Sequence, residues 1–288
     1  MATANFINRV VWGDLFHGLP QLDNDSIDLV ITSPPYYDAR NYGGQKLFND
    51  PGVWKEWCMN VIYELSKKIK PTGVIWWNTG SGYRNHQKMV EVYGMVYSLD
   101  ALGIHIIDEY PWIKKSGPPK KIKNRPPPMW EHNYIFAKNP EQVHMYHDQI
   151  LRPYAKSTLE RMKYPVSQLS ADLDGEYNKR KKVEPNPKGA MPVNYLMEAQ
   201  DTTGRPHPAP MMPKIANWAI RAYTQEGDIV LDPMMGAGTT AVEAEKLKRK
   251  WIGFELFEEY TELTNLSLER LRRGEDPYRG LKKEWEAR

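Results

Sequence analysis

Residues Thr32–Tyr36 (TSPPY) form a short motif whose residue types suit an amino group. Pro34 and Pro35 lack backbone N–H groups, so the turn is stiff and its carbonyl oxygens have no neighbouring donors to offset them. The Ser33 hydroxyl and a carbonyl of Ser33 or Pro34 can accept both hydrogens of an exocyclic NH2 group, and Tyr36 can stack on the attached ring, as an extruded base requires. Taken alone, a Pro-Pro-Tyr segment is as consistent with a plain turn or a recognition peptide.

A second motif, Asp232–Thr240 (DPMMGAGTT), has the residue types of a cofactor loop. Gly236 and Gly238 let the backbone approach a ligand without Cβ clashes, and the threonines that follow open a helix whose free N–H groups suit an anionic group. About twenty residues later, Glu255 ends the next predicted strand, where it can accept hydrogen bonds from ribose hydroxyls. Only Gly-x-Gly is present, with threonines in the region of the third glycine, so the motif favours an adenosine cofactor other than NAD.

Alternating apolar runs and helical patterns place both motifs at strand ends. Ile27–Thr32 is an apolar, β-branched run stopped by prolines, which predicts a buried strand. Further predicted strands cover 73–77, 104–112, 133–137, 228–231 and 251–254, and predicted helices cover 53–70, 87–102, 213–223 and 239–248. This alternation predicts an α/β fold with a mainly parallel sheet. Residues 150–205 interrupt it with polar, Pro-containing sequence that has no strong strand and only short helical hints near 158–163.

Together, Thr32–Tyr36 and Asp232–Thr240 resemble the paired signatures of the DNA methyltransferases that methylate amino groups, at cytosine N4 or adenine N6. The catalytic tetrapeptide precedes the cofactor loop, which resembles the family's beta arrangement of permuted chains, as in restriction-modification systems. The resemblance implies the class I S-adenosylmethionine-dependent methyltransferase fold, with a doubly wound, mainly parallel and circularly permuted sheet. It divides the chain into a catalytic half at 1–149, a target-recognition insert at 150–205, a cofactor-binding half at 206–260 and a C-terminal helix with a charged tail at 261–288.

The resemblance also implies roles for individual residues. Asp14 resembles the family's acidic position near the cofactor adenine, and 207–223 resembles the segment that closes over the methionine part of the cofactor. The catalytic residues implied are Ser33, Pro34, Pro35 and Tyr36. The implied S-adenosylmethionine-binding residues are Asp14, Thr32, His207, Pro208, Asp232, Pro233, Met234, Gly236, Gly238, Thr239, Thr240 and Glu255. Transfer would be direct and in line, because positioning alone can supply about 7–11 kcal/mol and no basic side chain is then required.

Ser33 bears on which base is modified. Serine here is typical of the cytosine-N4 enzymes of the family, whereas most adenine-N6 enzymes of this arrangement have aspartate, so the sequence favours cytosine N4 over adenine N6. Met234 departs from the family loop, which usually has an aromatic residue at this position. Cytosine carbon-5 methylation needs a thiolate nucleophile, and the single cysteine, Cys58, lies within a predicted helix. A non-catalytic nucleic-acid-binding module, and transfer to RNA or to a protein amide, stay open as alternatives.

Charge and composition bound the partners and the compartment. The 288 residues carry a formal net charge of only +3, but basic residues cluster at 114–125 and 178–182. These two clusters fit contact with DNA phosphates at least as well as they fit solvated loops. The predicted DNA-binding residues are Lys114, Lys115, Lys120, Lys121, Lys123, Arg125, Lys179, Arg180 and Lys181. One cysteine, scattered histidines and no long apolar run predict a cytoplasmic protein without a metal site or membrane span. The expected partners are double-stranded DNA and a cognate restriction endonuclease acting on the same site, with the protein a monomer or a homodimer.

Overall fold

The computed structural model describes residues 2–37, 47–80, 82–84, 86–115, 117, 121–163, 166–167, 180–181, 185–200 and 203–287, with the backbone alone for 166–167 and 180–181. The chain forms two compact units. The first combines Met1–Met145 with Asn194–Arg288, and the second is Tyr146–Val193.

Helices and strands are numbered in chain order through both units. The strands of the first unit are β1 (Arg9–Trp12), β2 (Ile27–Thr32), β3 (Ile69–Thr79), β4 (Tyr83–Arg84), β5 (Gln87–Lys88), β6 (His105–Glu109), β7 (Trp112–Lys114), β8 (Trp130–Ala137), β11 (Leu196–Glu198), β12 (Ile229–Asp232) and β13 (Lys250–Glu255). Its helices are α1 (Leu15–Gly18), α2 (Pro51–Lys68), α3 (Glu91–Asp100), α5 (Pro213–Tyr223), α6 (Thr239–Lys246), α7 (Glu258–Arg272) and α8 (Leu281–Glu286). The second unit contains α4 (Lys156–Met162) and the antiparallel pair β9 (Val166–Ser167) and β10 (Arg180–Lys181).

Within the described residues, nine strands form one sheet in the order β1-β13-β12-β2-β3-β8-β7-β11, and β6 also pairs with β8. The first five strands of this order run parallel to one another. Strand β8 is antiparallel to β3, β6 and β7, and β11 is parallel to β7. The mainly parallel α/β sheet predicted from the sequence is therefore confirmed.

The parallel strands bring three distant parts of the sequence to one edge of the sheet. Strand β2 ends at Thr32, β12 at Asp232 and β13 at Glu255. Strand β12 lies between the other two, with Leu231 opposite Val30 and Asp232 opposite Gly253. Ligands of open α/β sheets bind beyond the carboxyl ends of the strands. Both sequence motifs begin at this edge.

Strand β3 shows why helices cover both faces of the sheet. Its side chains alternate between the two faces, as in any strand. Ile75 and Trp77 belong to the buried core that also contains side chains of α2 and α3. Trp76 points to the opposite face, where its ring lies 5.6 Å from that of Trp218 in α5. Because neither face of β3 meets solvent from Gly73 onward, Val74–Trp77 is a continuous apolar run.

Helix α2 has sequence signals at both ends. The Asp50 carboxylate caps the N-terminus by accepting hydrogen bonds from the N–H groups of Gly52 (2.7 Å) and Val53 (3.1 Å), and Pro51 occupies the first turn, where it displaces no hydrogen bond. Lys67 and Lys68 in the last turn interact favourably with the negative end of the helix dipole. The helix thus begins two residues earlier than the sequence predicts and ends two residues earlier.

Three expectations about individual elements were wrong. The predicted strand at 104–112 is two strands, β6 and β7, because Pro111 lies between them and has no N–H group for a ladder. Pro71 does not end α2 but lies inside β3, where the pairing with β2 shifts register between Ile27 and Leu29. The stretch 150–205 contains strand β11, which pairs with β7, so the second unit ends at Val193.

Cys58 is fully buried in α2, and burial raises the pKa of its thiol well above the usual value. A neutral thiol in the core does not serve as a nucleophile. No helix among the described residues is both long and apolar enough to cross a membrane. In the same part of the chain, no cluster of histidine, cysteine or acidic residues could hold a metal ion.

Candidate active site

A cavity of about 350 Å³ lies at the carboxyl edge of the sheet and is lined by residues of both sequence motifs. Ser33 and Pro35 contribute from the turn after β2. The predicted cofactor residues that line it are Asp14, His207, Pro233, Met234, Gly236 and Glu255. Thr32, Pro208, Asp232, Gly238, Thr239 and Thr240 are not among its lining residues. The structure therefore brings the two motifs to one cavity.

The loop between β12 and α6 requires its two glycines. Gly236 and Gly238 have φ angles of +55° and +77°, a region that residues with a Cβ rarely adopt. A Cβ on Gly236 would lie 2.9 Å from the His207 Nε2 atom, and one on Gly238 would lie 2.9 Å from the Thr264 hydroxyl oxygen. The loop therefore packs directly against His207 and against Thr264 of helix α7, and its shape depends on both glycines.

Asp232 ties this loop to the neighbouring strand. Its Oδ1 accepts hydrogen bonds from the Thr32 hydroxyl (2.8 Å) and the Met234 N–H (3.1 Å), and its Oδ2 accepts one from the Thr240 hydroxyl (2.6 Å). Burial raises the Asp232 pKa to about 6, although these hydrogen bonds oppose the shift. Asp232, Thr32 and Thr240 thus form a buried support beneath the cavity.

Glu255 stands at the end of β13 and lines the cavity. Its two carboxylate oxygens accept hydrogen bonds from the N–H groups of Gly236 (2.7 Å) and Phe257 (3.0 Å). Burial raises the Glu255 pKa to about 7, and the hydrogen bonds partly offset this. Each carboxylate oxygen can accept a second hydrogen bond, so a ligand with hydroxyl groups can still bind here.

Asp14 and His207 line the cavity from two further segments. Asp14 caps α1, with its Oδ1 accepting a hydrogen bond from the Phe16 N–H at 2.7 Å. His207 packs edge-on against the Tyr260 ring at 4.6 Å, and its Nδ1 accepts a hydrogen bond from the Ala209 N–H at 3.2 Å. Burial lowers the His207 pKa to about 3, so the ring is neutral at pH 7 and makes a packing contribution to the wall.

The tetrapeptide is held by a hydrogen-bond network. The Tyr36 hydroxyl lies 2.7 Å from Asn78 Oδ1 and 2.8 Å from Glu131 Oε2. The Ser33 hydroxyl lies 3.2 Å from Asn78 Oδ1 and 3.3 Å from the Tyr36 hydroxyl oxygen. In these contacts Ser33 is the hydrogen-bond donor. The lone pairs of its oxygen are therefore available to accept a hydrogen bond from a ligand. The Pro35 carbonyl is used differently, as it accepts a 2.9 Å hydrogen bond from the Trp54 indole.

A second cavity of about 150 Å³ adjoins Tyr36. Its lining includes Trp130, Glu131 and Lys114 as well as Gly80, whose missing side chain leaves room for the Tyr36 ring. Ser33 lines the larger cavity and Tyr36 the smaller one, so the tetrapeptide separates them.

The sequence matches the family profile of N6 and N4 methyltransferases, described as DNA methylase, over residues 27–266. The chain belongs to this DNA methylase family. The relatives of this methylase include the orphan methyltransferase M.BamHII of Bacillus amyloliquefaciens, 29% identical over 251 residues, which are 83% of this chain and 88% of the relative. The type II methyltransferase M.PvuII of Proteus hauseri is 26% identical over 284 residues, covering 86% of this chain and 80% of that protein.

Solved structures share the fold of the methylase. The PvuII DNA methyltransferase, described as cytosine-N4-specific, has a TM-score of 0.67 at 21% identity, over 89% of this chain and 84% of that one. TTHA0409 of Thermus thermophilus, described as a DNA modification methylase and solved in complex with S-adenosyl-L-methionine, has a TM-score of 0.57 at 22% identity, over 92% and 93%. The class I S-adenosylmethionine-dependent methyltransferase fold implied by the motifs is thereby confirmed.

The predicted DNA-binding residues of the methylase have different surroundings. Lys114 pairs with Glu131 at 2.5 Å and is largely buried, whereas Lys115 is half-exposed and 3.8 Å from Glu198. Lys121 and Lys123 are exposed, and the Arg125 guanidinium lies 3.3 Å from the centre of the Tyr83 ring. Lys120 and Lys179 lie outside the described residues. Arg180 and Lys181 form β10, where only the backbone is described.

Two residues of the DNA methylase site, Asn78 and Glu131, lie outside both sequence motifs and were not predicted as site residues. Asn78 is the polar residue after the apolar run of β3, at the same sheet edge as Thr32, which is the signal that could have found it. Glu131 is the second residue of β8, an antiparallel strand, so its place beside Tyr36 depends on a pairing that the sequence pattern does not predict. Arg205 is also buried, with its guanidinium 2.5 Å from the Thr239 hydroxyl and 2.8 Å from the Met211 carbonyl.

Proposed function

We propose that this DNA methyltransferase transfers the methyl group of S-adenosylmethionine to the exocyclic amino group of a flipped base in double-stranded DNA, with cytosine N4 as the acceptor. The observation that carries the proposal is the cavity of about 350 Å³ lined by both Ser33 and Gly236. A methyl donor held by the glycine loop then lies within reach of an amine held by the tetrapeptide. Direct transfer requires that both substrates meet in one site.

The cavity residues suit the parts of the cofactor. The Glu255 carboxylate faces the cavity and suits the two ribose hydroxyls. Gly236, in the loop that leads into α6, lets the backbone approach the methionine part of the cofactor. Phe16, Leu256 and Phe257 supply an apolar wall for the adenine ring. When bound, S-adenosylmethionine supplies an electrophilic methyl group. The protein has to bind this cofactor, exclude water and orient the acceptor.

Ser33 and Tyr36 suit a flipped base on the other side of the tetrapeptide. The Ser33 oxygen accepts a hydrogen from the amino group, while its own proton remains engaged with Asn78 or Tyr36. The Tyr36 ring lines the smaller cavity, which is the place we assign to the base. An amino group held by acceptors directs its lone pair away from the ring, which makes the nitrogen a better nucleophile.

Cytosine is favoured over adenine by the first residue of the tetrapeptide. Ser33 is a neutral acceptor of the kind typical of cytosine-N4 enzymes, and a relative of this chain with the same fold is described as cytosine-N4-specific. Adenine N6 is the alternative acceptor. We assign target recognition to the second unit, Tyr146–Val193, which contains most of the insert expected at 150–205. A cognate endonuclease acting on the same site is the partner expected for a type II relative.

Nucleoside analysis tests this proposal. Purified protein is incubated with duplex DNA and methyl-labelled S-adenosylmethionine, and the DNA is digested to nucleosides. N4-methylcytosine is the expected product, and N6-methyladenine would overturn the choice of base while leaving the reaction class intact. Absence of labelled nucleoside at full cofactor binding would overturn the enzymatic proposal in favour of a non-catalytic DNA-binding protein, and label in RNA or protein alone would reassign the substrate.

Site variants connect the activity to the cavity. Ser33→Ala and Tyr36→Ala should each abolish transfer and leave the cofactor dissociation constant within about twofold, because neither residue supports the glycine loop. Retained turnover in both variants would show that the tetrapeptide is not the amine site. Ser98→Ala, in α3, is a matched serine control, because Ser98 lines neither cavity.

A further inference from the structure

We infer that Glu131 is the terminal acceptor for the proton that leaves the methylated amino group, reached through Ser33 and Tyr36. The inference rests on the proposed function and extends it to a residue outside both sequence motifs. Methylation of an amine produces a cationic nitrogen, which must lose a proton before the product can leave as a neutral base. The site therefore needs an exit for one proton as well as a methyl donor.

Three oxygens form a continuous chain from the amine position toward a carboxylate. The Ser33 hydroxyl donates to the Tyr36 hydroxyl oxygen at 3.3 Å, and the Tyr36 hydroxyl donates to Glu131 Oε2 at 2.8 Å. Ser33 lines the larger cavity, whereas Tyr36 and Glu131 line the smaller one. A proton arriving at the Ser33 oxygen can therefore be relayed without any side chain moving to a new partner.

Asn78 fixes the geometry of this chain. Its Oδ1 lies within hydrogen-bond distance of both hydroxyl groups, and its Nδ2 donates to the His132 carbonyl (3.2 Å) and to Asn133 Oδ1 (3.0 Å). Because the Nδ2 group makes these two donations, the Oδ1 end of the Asn78 amide faces the Ser33 and Tyr36 hydroxyls. An amide takes up no proton at neutral pH, so the acceptor at the end of the chain is Glu131.

Two lysines and a histidine lie near Glu131. Lys114 of β7 pairs with Glu131 Oε1 at 2.5 Å, which leaves Oε2 for Tyr36. The Lys88 ammonium of β5 lies 5.2 Å from the centre of the ring of Trp130, the residue before Glu131. His132 of β8 is a further titratable neighbour, and burial lowers its pKa despite the hydrogen bond with Glu109.

The proposed step balances in atoms and charge. The amine nitrogen forms a bond to the methyl carbon as the carbon–sulfur bond breaks, and the sulfonium becomes a neutral thioether. The N–H proton passes to the Ser33 oxygen, the Ser33 proton to the Tyr36 oxygen, and the Tyr36 proton to Glu131. The carboxylate ends protonated and returns the proton to solvent between turnovers, since its side chain remains 13% exposed.

Two substitutions test the relay in the full chain. Glu131→Gln keeps the size and one acceptor oxygen but cannot take a proton, and Tyr36→Phe keeps the ring but removes the relay hydroxyl. Each should lower kcat by about 10²–10⁴-fold, the range typical of positioned proton transfer, with little change in KM for the cofactor. The double variant should be no slower than the slower single variant, because both remove the same path.

The pH dependence separates this role from a structural one. Wild-type kcat should decline in acid as the carboxylate is protonated, and the ratio of wild type to Glu131→Gln should therefore fall toward one as the pH is lowered. Glu109→Gln is the matched control, because it removes a nearby carboxylate that bonds His132 instead of Tyr36, and its kcat ratio should not depend on pH.

Each outcome decides between the assignments. An unchanged kcat in folded Glu131→Gln, a pH-independent loss, or additive losses in the double variant would overturn the relay. If Glu131→Gln does not fold, an unchanged kcat in Tyr36→Phe overturns the relay equally. A wild-type protein that methylates no DNA would refute the proposed function itself, whereas an active wild type with unaffected variants refutes only the role of Glu131.

Discussion

The Thr32 hydroxyl donates a 2.8 Å hydrogen bond to Asp232 Oδ1 across 200 residues of sequence. Both atoms are buried, and they join the strand that precedes the tetrapeptide to the strand that precedes the glycine loop. Because this contact joins the ends of β2 and β12, it helps to hold the amine site and the methyl-donor site at a constant distance from each other. A loss of this hydrogen bond should affect both stability and catalysis.

The first prediction concerns this hydrogen bond. Thr32→Val keeps the shape of the side chain but removes the donor, and Asp232 Oδ1 would retain only the Met234 N–H. We expect the free energy of unfolding to fall by about 1–3 kcal/mol, the usual cost of leaving a buried polar group short of a partner. Urea denaturation measures it.

Thr79→Val is the matched control for this change. Thr79 ends the neighbouring strand β3, is fully buried, and has a hydroxyl without a hydrogen-bond partner among the described residues. The same substitution should therefore be neutral or stabilising there. Equal losses in both variants would show that the cost comes from the valine and not from the bond to Asp232.

The second prediction concerns the glycine loop. Gly238 and Gly274 have the same φ of +77°, but a Cβ on Gly238 would lie 3.0 Å from the Thr264 Cα, whereas one on Gly274 meets no described atom within 4 Å. Gly274→Ala should cost about 1–2 kcal/mol for the left-handed backbone alone. Gly238→Ala should cost more and should also weaken cofactor binding, because the loop must move away from α7. Thermal unfolding and calorimetric titration with S-adenosylmethionine test this, and equal effects of the two variants would contradict it.

The third prediction concerns Asn78. Asn78→Asp replaces a donor amide with an acceptor that faces the His132 carbonyl and Asn133 Oδ1. We expect the unfolding free energy to fall by about 1–3 kcal/mol at pH 8, because the His132 carbonyl and Asn133 Oδ1 each lose the hydrogen bond from Asn78, although Asn133 Oδ1 keeps the one from the Trp76 indole (2.9 Å). The loss should become smaller in acid, where the carboxyl group regains a proton to donate. Denaturation at pH 8 and pH 5 distinguishes this from a loss that is constant with pH.

Local signals were sufficient to locate both motifs of the site. The proline pair ends β2, the glycines lie in the loop after β12, and the alternation of elements predicts parallel strands. The sequence alone therefore places Ser33 and Gly236 at one edge of the sheet. What could not be predicted depends on pairing across the sheet. Glu131 reaches Tyr36 only because β8 runs antiparallel to β3, with Asn78 opposite Asn133, and no periodicity in either segment specifies that register.

The boundaries of the insert illustrate the same limit. Leu196–Glu198 is a three-residue strand in a polar stretch, and it forms because β7 offers a free edge to pair with. A strand this short has no pattern of its own, since its stability comes from its partner. The bounds of β2, by contrast, were predicted to the residue. Both faces of this strand are buried, so its sequence is a largely apolar run that can be recognised without knowing its partners.

The last prediction concerns Glu255 and its dependence on pH. Burial raises the Glu255 pKa from 4.5 to about 7 in the folded protein, so the folded state holds a proton that the unfolded state has released between these values. The stability that this group contributes is therefore fully present below about pH 4.5 and is lost as the pH rises through about 7. In Glu255→Gln the group does not titrate. The unfolding free energy of wild type, minus that of the variant, should thus fall by about 3 kcal/mol between pH 4.5 and pH 8. Denaturation of both proteins in the absence of cofactor, across this range, measures the difference. A difference that rises with pH would mean that the carboxylate is stabilised where it lies, and that the Gly236 and Phe257 N–H groups outweigh its burial.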